Sequence, residues 1–117
     1  MTISSPHYVT TTIDASGRLA DRTPVRCLGW PAGLPVSITA DRHSGIILVQ
    51  RHGPYVITRQ GHLRLPAIIR HRLRTSIGDT LLVAALPDAD MIAAYTSAAL
   101  DYMVSSYHTT IRTGTGR

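Results

Sequence analysis

Seven arginines, Arg42, Arg51, Arg59, Arg64, Arg70, Arg72 and Arg74, fall between Asp41 and Asp79 with no acidic residue among them. A guanidinium is a planar fork of N–H donors that stays charged at physiological pH. It grips a phosphate through two parallel hydrogen bonds, or the paired acceptors of guanine in the major groove. Such a stretch predicts a polyanionic partner; a merely solvated basic face is the alternative. All twelve basic residues are arginine and all seven acids are aspartate, for a formal net charge of +5. Lysine, glutamate, asparagine and phenylalanine are absent. The choice of arginine over lysine therefore says less than where the arginines stand.

Other reactive residue types are thinly spread. Six histidines, His7, His43, His52, His62, His71 and His108, are scattered, with no carboxylate cluster beside them and no helical pair four apart. A single cysteine, Cys27, excludes an internal disulfide and a cysteine-pair zinc site, and is expected to be a small buried hydrophobe. With no glutamate and one thiol, acid–base or thiol chemistry has few players. The expectation is a protein that is not an enzyme and carries neither cofactor nor metal, His62 with His71 being the one metal pair to weigh. At 117 residues and 44% hydrophobic, the chain has enough for one modest core. No apolar run approaches a membrane span, and MTISSPHYVT lacks a signal-peptide pattern, which predicts a soluble cytoplasmic protein.

The elements that must position these arginines come in two copies. TIDASGRL (Thr12 to Leu19) and VITRQGHL (Val56 to Leu63) share a β-prone run, polar residues, a glycine, a basic residue and a leucine, 44 positions apart. Further along the offset is 45: Leu28 matches Leu73, Gly33 matches Gly78, and Val36 to Ala40 match Leu81 to Ala85. Leu65 reads as the inserted residue, with Val25 set against Ile69 and Arg26 against Arg70. Each copy reads as strand, short helix, strand, turn, strand. In copy 2, Tyr55 to Thr58 is a strand, Gly61 a turn or bulge, and Leu63 and Leu65 alternate with Arg64 as in a half-buried strand. Pro66 suits the first turn of a helix that buries Ile69 and Leu73. Thr80 to Ala85 and Met91 to Tyr95 form a hairpin. In copy 1 a helix that either starts at Thr23 or is distorted by Pro24 is ended by Gly29-Trp30-Pro31, with Trp30 as a core or cover residue, and Val36 to Ala40 pairs with Gly45 to Val49. After copy 2, Ser97 is the expected N-cap of a helix whose stripe Leu100, Met103, Val104 and Tyr107 closes the core or offers a partner or self-association surface.

TRQGHLRLPAIIRHRLRTSIGDTLLV resembles the AbrB/MazE/SpoVT swapped-hairpin family of DNA-binding domains. The likeness lies in the glycine followed by a basic residue, the alternating apolar residues, the proline, the Ile-Arg pair, the leucine, and Gly-Asp before a strand. DASGRL and GWPAGLPVSI look like a diverged second copy, so the resemblance spans roughly 10–107. Asp14 and Arg18 match the D-x-x-x-R signature of the related two-unit MraZ regulators; Thr58 and His62 stand at those places in copy 2. The resemblance implies a mainly β fold with short helices: a swapped-hairpin AbrB-like barrel built from two intrachain repeats, plus a C-terminal helix. The expected organisation is a flexible N-terminus 1–9, repeat 1 at 10–50, a linker 51–54, repeat 2 at 55–95, the helix 96–108 and a disordered tail 109–117.

Carried over by position, the family's DNA-contacting residues fall on Arg18, His62, Arg26, Arg70, His71 and Arg72. The density of guanidinium groups adds Arg59, Arg64 and Arg74. What this implies is a sequence-specific DNA-binding transcriptional regulator that meets double-stranded DNA mainly through repeat 2, as a homodimer or a pseudo-dimeric monomer. The alternative is the antitoxin of a toxin–antitoxin system, binding its own operator and a toxin partner.

Overall fold

The computed structural model describes residues 5–115. β1 (His7–Thr12) is followed by α1 (Thr23–Cys27), the hairpin β2 (Pro35–Asp41) and β3 (Ile46–Arg51), and the short β4 (Tyr55–Val56). Then come α2 (Ala67–Arg72), the hairpin β5 (Thr80–Leu86) and β6 (Met91–Tyr95), and α3 (Ser97–Thr115). Pro24 sits in the first turn of α1, where its missing N–H costs nothing, and Pro66 stands just ahead of α2 as its N-cap. Neither helix reaches two turns, so packing must hold both. Pro24 and Val25 of α1 and Ile69 of α2 are buried for that purpose.

The strands form one antiparallel sheet in the order β1-β5-β6-β3-β2-β4. The expected barrel is not closed: β1 and β4 are free edges. Val36, Ile38, Ile47, Val49, Leu81, Val83, Ile92 and Ala94 alternate onto the buried face, as a half-buried sheet requires. Ile13, Leu19, Ile57, Leu63 and Leu65 cover them from the connecting segments, with Val25, Ile69 and Leu73 from the helices and their ends.

Neither hairpin is completed by the strand that precedes it in the chain. β1 pairs with β5 of the second hairpin, and β4 with β2 of the first. The registers correspond. Thr11↔Leu81 and Thr12↔Thr80 at one edge have Tyr55↔Val36 and Val56↔Pro35 at the other, each residue 44 or 45 positions from its counterpart. In the β3–β6 ladder, Ile46↔Tyr95 exchanges with Gln50↔Met91 about a centre at Leu48↔Ala93. Left-handed backbone recurs at the same spacings: Gly17 with Gly61, Gly29 with Arg74, Gly33 with Gly78, and Gly45 with Asp90. The helices begin 44 positions apart, with N-caps Arg22 and Pro66 and matching bonds from Arg26 N–H to Arg22 O and from Arg70 N–H to Pro66 O, and they end 45 apart. Leu28 N–H donates to Pro24 O and Leu73 N–H to Ile69 O; Trp30 N–H donates to Val25 O and Thr75 N–H to Arg70 O. Arg26 and Arg70 thus match when counted from the helix starts, and the extra residue of the second copy falls within α2, which has six residues against five in α1.

Other expectations also change. The N-terminal strand begins at His7, inside the segment expected to be flexible, because β5 offers it a ladder; residues 1–4 lie outside those described. Cys27 is exposed rather than buried, since a five-residue helix turns only Pro24 and Val25 inward. The cap of α3 is Thr96, whose Oγ1 accepts from Ala99 N–H at 3.2 Å. That helix runs past His108 to Thr115, so the expected disordered tail is helical from 109 to 115. Its stripe does not close the core. Ala99 is buried and Leu100 half-buried, whereas Tyr102, Met103, Val104, Tyr107 and Ile111 are exposed. Trp30 is buried, as expected. No helix among the described residues is long and apolar enough to cross a membrane.

Gly53, in the link between the first hairpin and β4, tests this packing. A Cβ there would overlap the backbone of Val36 and Ser37, which cannot swing aside as a side-chain tip can. Gly53→Ala is expected to lower unfolding free energy by about 1–3 kcal/mol, the usual range for overpacking. Gly61→Ala meets no neighbour and carries only the cost of a positive φ of +85°, about 1 kcal/mol. Chemical denaturation of the two variants checks the order.

Candidate functional site

Two loops after the edge strands carry the basic residues, and they meet. Leu19 N–H donates to Leu63 O at 2.8 Å and Leu65 N–H to Gly17 O at 2.8 Å, while Arg18 and Arg64 form a β-bridge between these hydrogen bonds. Each loop turns just before the crossing, with Gly17 at φ +79° and Gly61 at +85°. The turns are built alike: Asp14 N–H donates to Arg18 O and Thr58 N–H to His62 O. Leu19, Leu63 and Leu65 face the core, leaving Arg64 exposed and Arg18 and His62 half-buried.

Three basic side chains at the crossing are braced by the chain. Arg18 Nε donates to Asp14 Oδ2 at 2.9 Å. His62 Nδ1 lies 2.9 Å from Leu19 O; a carbonyl only accepts, so the proton is on Nδ1. Arg70 Nε donates to Leu65 O at 3.1 Å, and the guanidinium lies against Gly17, where a Cβ would meet Arg70 Nη2 at 3.4 Å. Glycine thus serves both the turn and this approach. A fourth basic side chain joins them: Arg22 Nη1 donates to Gln60 O at 3.0 Å, tying this loop to the turn that holds Arg59.

The other expected residues divide. Arg59 and Arg64 stand exposed on the loop of the crossing. Arg26 is exposed on α1, without a brace among the described residues. His71, Arg72 and Arg74 point to a separate place, a cavity of about 510 Å³ that they share with Arg42, Thr75 and the start of α3. Only two ion pairs occur among the described residues, Arg18 with Asp14 and Arg51 with Asp90. Arg42, Arg59, Arg64, Arg72 and Arg74 form no ion pair among those residues, whereas Arg26 lies near enough to Asp21 to help lower its pKa. The sequence reading passed over Arg22 and Arg42 as site residues. Arg42 belongs to the acid-free run and was detectable on that ground; Arg22 follows Asp21, and only the crossing brings it to Gln60. No group of three histidine, cysteine or aspartate side chains fit to hold a metal forms among the described residues.

Asp14 organises loop 1. Its Oδ1 accepts from the N–H groups of Ser16 and Arg18, both at 2.9 Å, while Oδ2 holds the guanidinium. Loss of hydration pushes the carboxyl's pKa up, and the N–H groups of Arg18 and Ser16 with the Arg18 guanidinium more than reverse this, so it lies below the ordinary value.

No protein-family model, curated protein or solved structure matches the chain.

A lowered native pKa means that the carboxylate is the form the fold prefers. The stabilisation is present above the unfolded-state value, about 3.9, and is lost as pH falls through the lower native value. The stability gap between wild type and Asp14→Asn should therefore shrink as pH is lowered from 6 towards and below the wild-type midpoint. Denaturation at a series of pH values, with carboxyl carbon shifts followed by NMR, checks this. A gap that widens in acid would contradict the assignment.

Proposed function

We propose that the chain binds double-stranded DNA as a transcriptional regulator, its two hairpin units forming an AbrB-like swapped-hairpin pseudo-dimer. The observation that carries the reading is the crossing of the two loops, which gathers Arg18, Arg22, His62, Arg64 and Arg70 from both halves of the chain. The exchange of edge strands and the matching registers favour the two-unit description. Braced basic side chains suit a duplex because less side-chain freedom is lost on binding. Arg64 and Arg59 are exposed, and their guanidiniums are free for phosphate or guanine. The second half contributes more, since Arg59, His62, Arg64 and Arg70 all belong to it, against Arg18 and Arg22 from the first. Regulation of transcription follows from the family resemblance and makes sequence preference the deciding property.

DNA affinity should fall steeply with salt in wild type. Arg64→Ala and Arg70→Ala should each weaken binding, by about 1–3 kcal/mol where a base contact is lost, or lower the salt slope by about 1 where a phosphate contact is lost. Titration of labelled duplexes at several salt concentrations reads both quantities. No binding at low salt, or no change in affinity and slope for both variants, would exclude this assignment. Selection from a random duplex pool then separates a regulator, which returns a sharp motif, from a general DNA binder.

The apolar stripe of α3, half-buried at Leu100 and exposed beyond it, supports self-association. Leu100, Val104, Tyr107 and Ile111 are spaced four, three and four apart, the a/d pattern of a coiled-coil seam. Laid antiparallel on a second copy, Leu100 faces Ile111 and Val104 faces Tyr107. Sedimentation equilibrium should find a dimer that becomes a monomer with Val104→Asp; a wild type that stays monomeric at high concentration would remove this role. The antitoxin reading uses the same helix to hold a toxin, and would require a second protein to co-purify with the chain.

A further inference from the structure

The two halves differ most where Trp30 stands. Trp30 and Thr75 hold equivalent places, each donating its N–H five residues back, to Val25 O and Arg70 O. Gly45 and Asp90 correspond likewise, both in left-handed backbone. In the first half the indole is buried, 4% exposed, and its Nε1 donates to Asp90 Oδ1 at 2.9 Å. Asp90 Oδ2 in turn meets Arg51 Nε. The second half has short side chains instead. Thr75 Oγ1 turns back to Arg70 O at 3.3 Å and Thr96 Oγ1 to Gly45 O at 2.9 Å. A cavity of about 510 Å³, lined by both threonines, opens there, within the usual range for small-molecule sites, roughly 300–1,000 Å³.

The charge of the lining is one-sided. Arg42 comes from the β2–β3 turn, and His71, Arg72 and Arg74 from the end of α2. One acid, Asp79, also lines the cavity, and its Oδ2 already accepts from Ser76 N–H at 2.8 Å. None of the three guanidiniums forms an ion pair within the described residues. Arg74 occupies left-handed backbone at φ 56°, where its counterpart in the first half is Gly29 at φ 67°. Three arginines that line one cavity suit the oxygens of a phosphate group, which each guanidinium fork can hold bidentately.

We propose that this cavity binds a phosphate group through Arg42, Arg72 and Arg74, and admits a phosphorylated small molecule of pyrophosphate to nucleotide size. The first half has no such site because Trp30 and the Asp90–Arg51 pair stand in its place. The inference rests on the cavity and not on the DNA reading. A backbone phosphate of DNA is the other source of the same chemistry, and the experiment separates the two.

Calorimetric titration of the full chain at low salt uses inorganic pyrophosphate and ADP in one arm and duplex DNA in the other. Wild type should bind pyrophosphate or ADP saturably, one per chain. Arg42→Ala, in an exposed turn outside the core, should weaken binding about tenfold or more, and Thr75→Trp should abolish it by filling the void. Arg112→Ala, on α3, should match wild type. If neither small molecule saturates but Arg42→Ala weakens DNA binding and lowers its salt slope, the phosphate held there is that of DNA. The proposal is overturned if no small molecule binds and Arg42→Ala leaves DNA binding unchanged, or if Arg112→Ala weakens pyrophosphate as much as Arg42→Ala does. Saturable pyrophosphate binding by a protein that ignores DNA would remove the DNA reading and leave this one standing.

Discussion

The exchange of edge strands is the constraint on which the rest depends. β5 is completed by β1 and β2 by β4, so each loop must leave one half of the sheet and reach the other. Two such loops traverse the same space, and they pair where they pass, Gly17 to Leu19 against Leu63 to Leu65. Buried backbone polar groups need partners, and here each loop supplies them to the other. The inward leucines seal the core, and alternation turns Arg64 outward. The basic side chains gather at one place because the chain crosses itself there.

Much of this architecture was legible in local patterns. Met91 to Tyr95 is the strand its composition suggested, and α1 begins at Thr23. Leu63 and Leu65 are buried and Arg64 exposed, as period-two alternation required. Strand pairing leaves no such local trace. That β1 joins β5, some seventy residues away, depends on which edge is open when the halves dock, and so does the failure of the sheet to close into a barrel. Trp30 was readable as buried, but its hydrogen bond to Asp90, sixty positions on, was not. The same limit hid Arg22, whose hydrogen bond to Gln60 exists only through the crossing. Cys27 was misplaced because residue type predicts burial only on average, whereas a helix of five residues has few inward positions.

The positive charge is sorted as well as concentrated. Arg18, His62 and Arg70 are each tied to a carboxylate or a carbonyl of the loops, and so have defined directions. Arg59 and Arg64 are exposed beside them and can adjust to an anion that approaches. The acids are not spread evenly either. Asp14, Asp21 and Asp41 are engaged by neighbouring hydroxyl or N–H groups, which shape turns and the start of α1. Asp21 and Asp41 serve the backbone, and Asp14 and Asp90 each also pair with one arginine, so these four leave most of the basic surface uncovered.

Both hairpins belong to one polypeptide, and that has a consequence for how the protein can change. In an assembly of identical chains every substitution appears twice, so an indole introduced at one site would fill its twin as well. Here Trp30 and Thr75 are encoded separately. One half can be plugged for rigidity while the other stays hollow, and their association does not weaken on dilution, since the covalent link fixes their effective concentration. The single chain thus permits a division of labour between two similarly paired hairpins that a symmetric pair cannot reach.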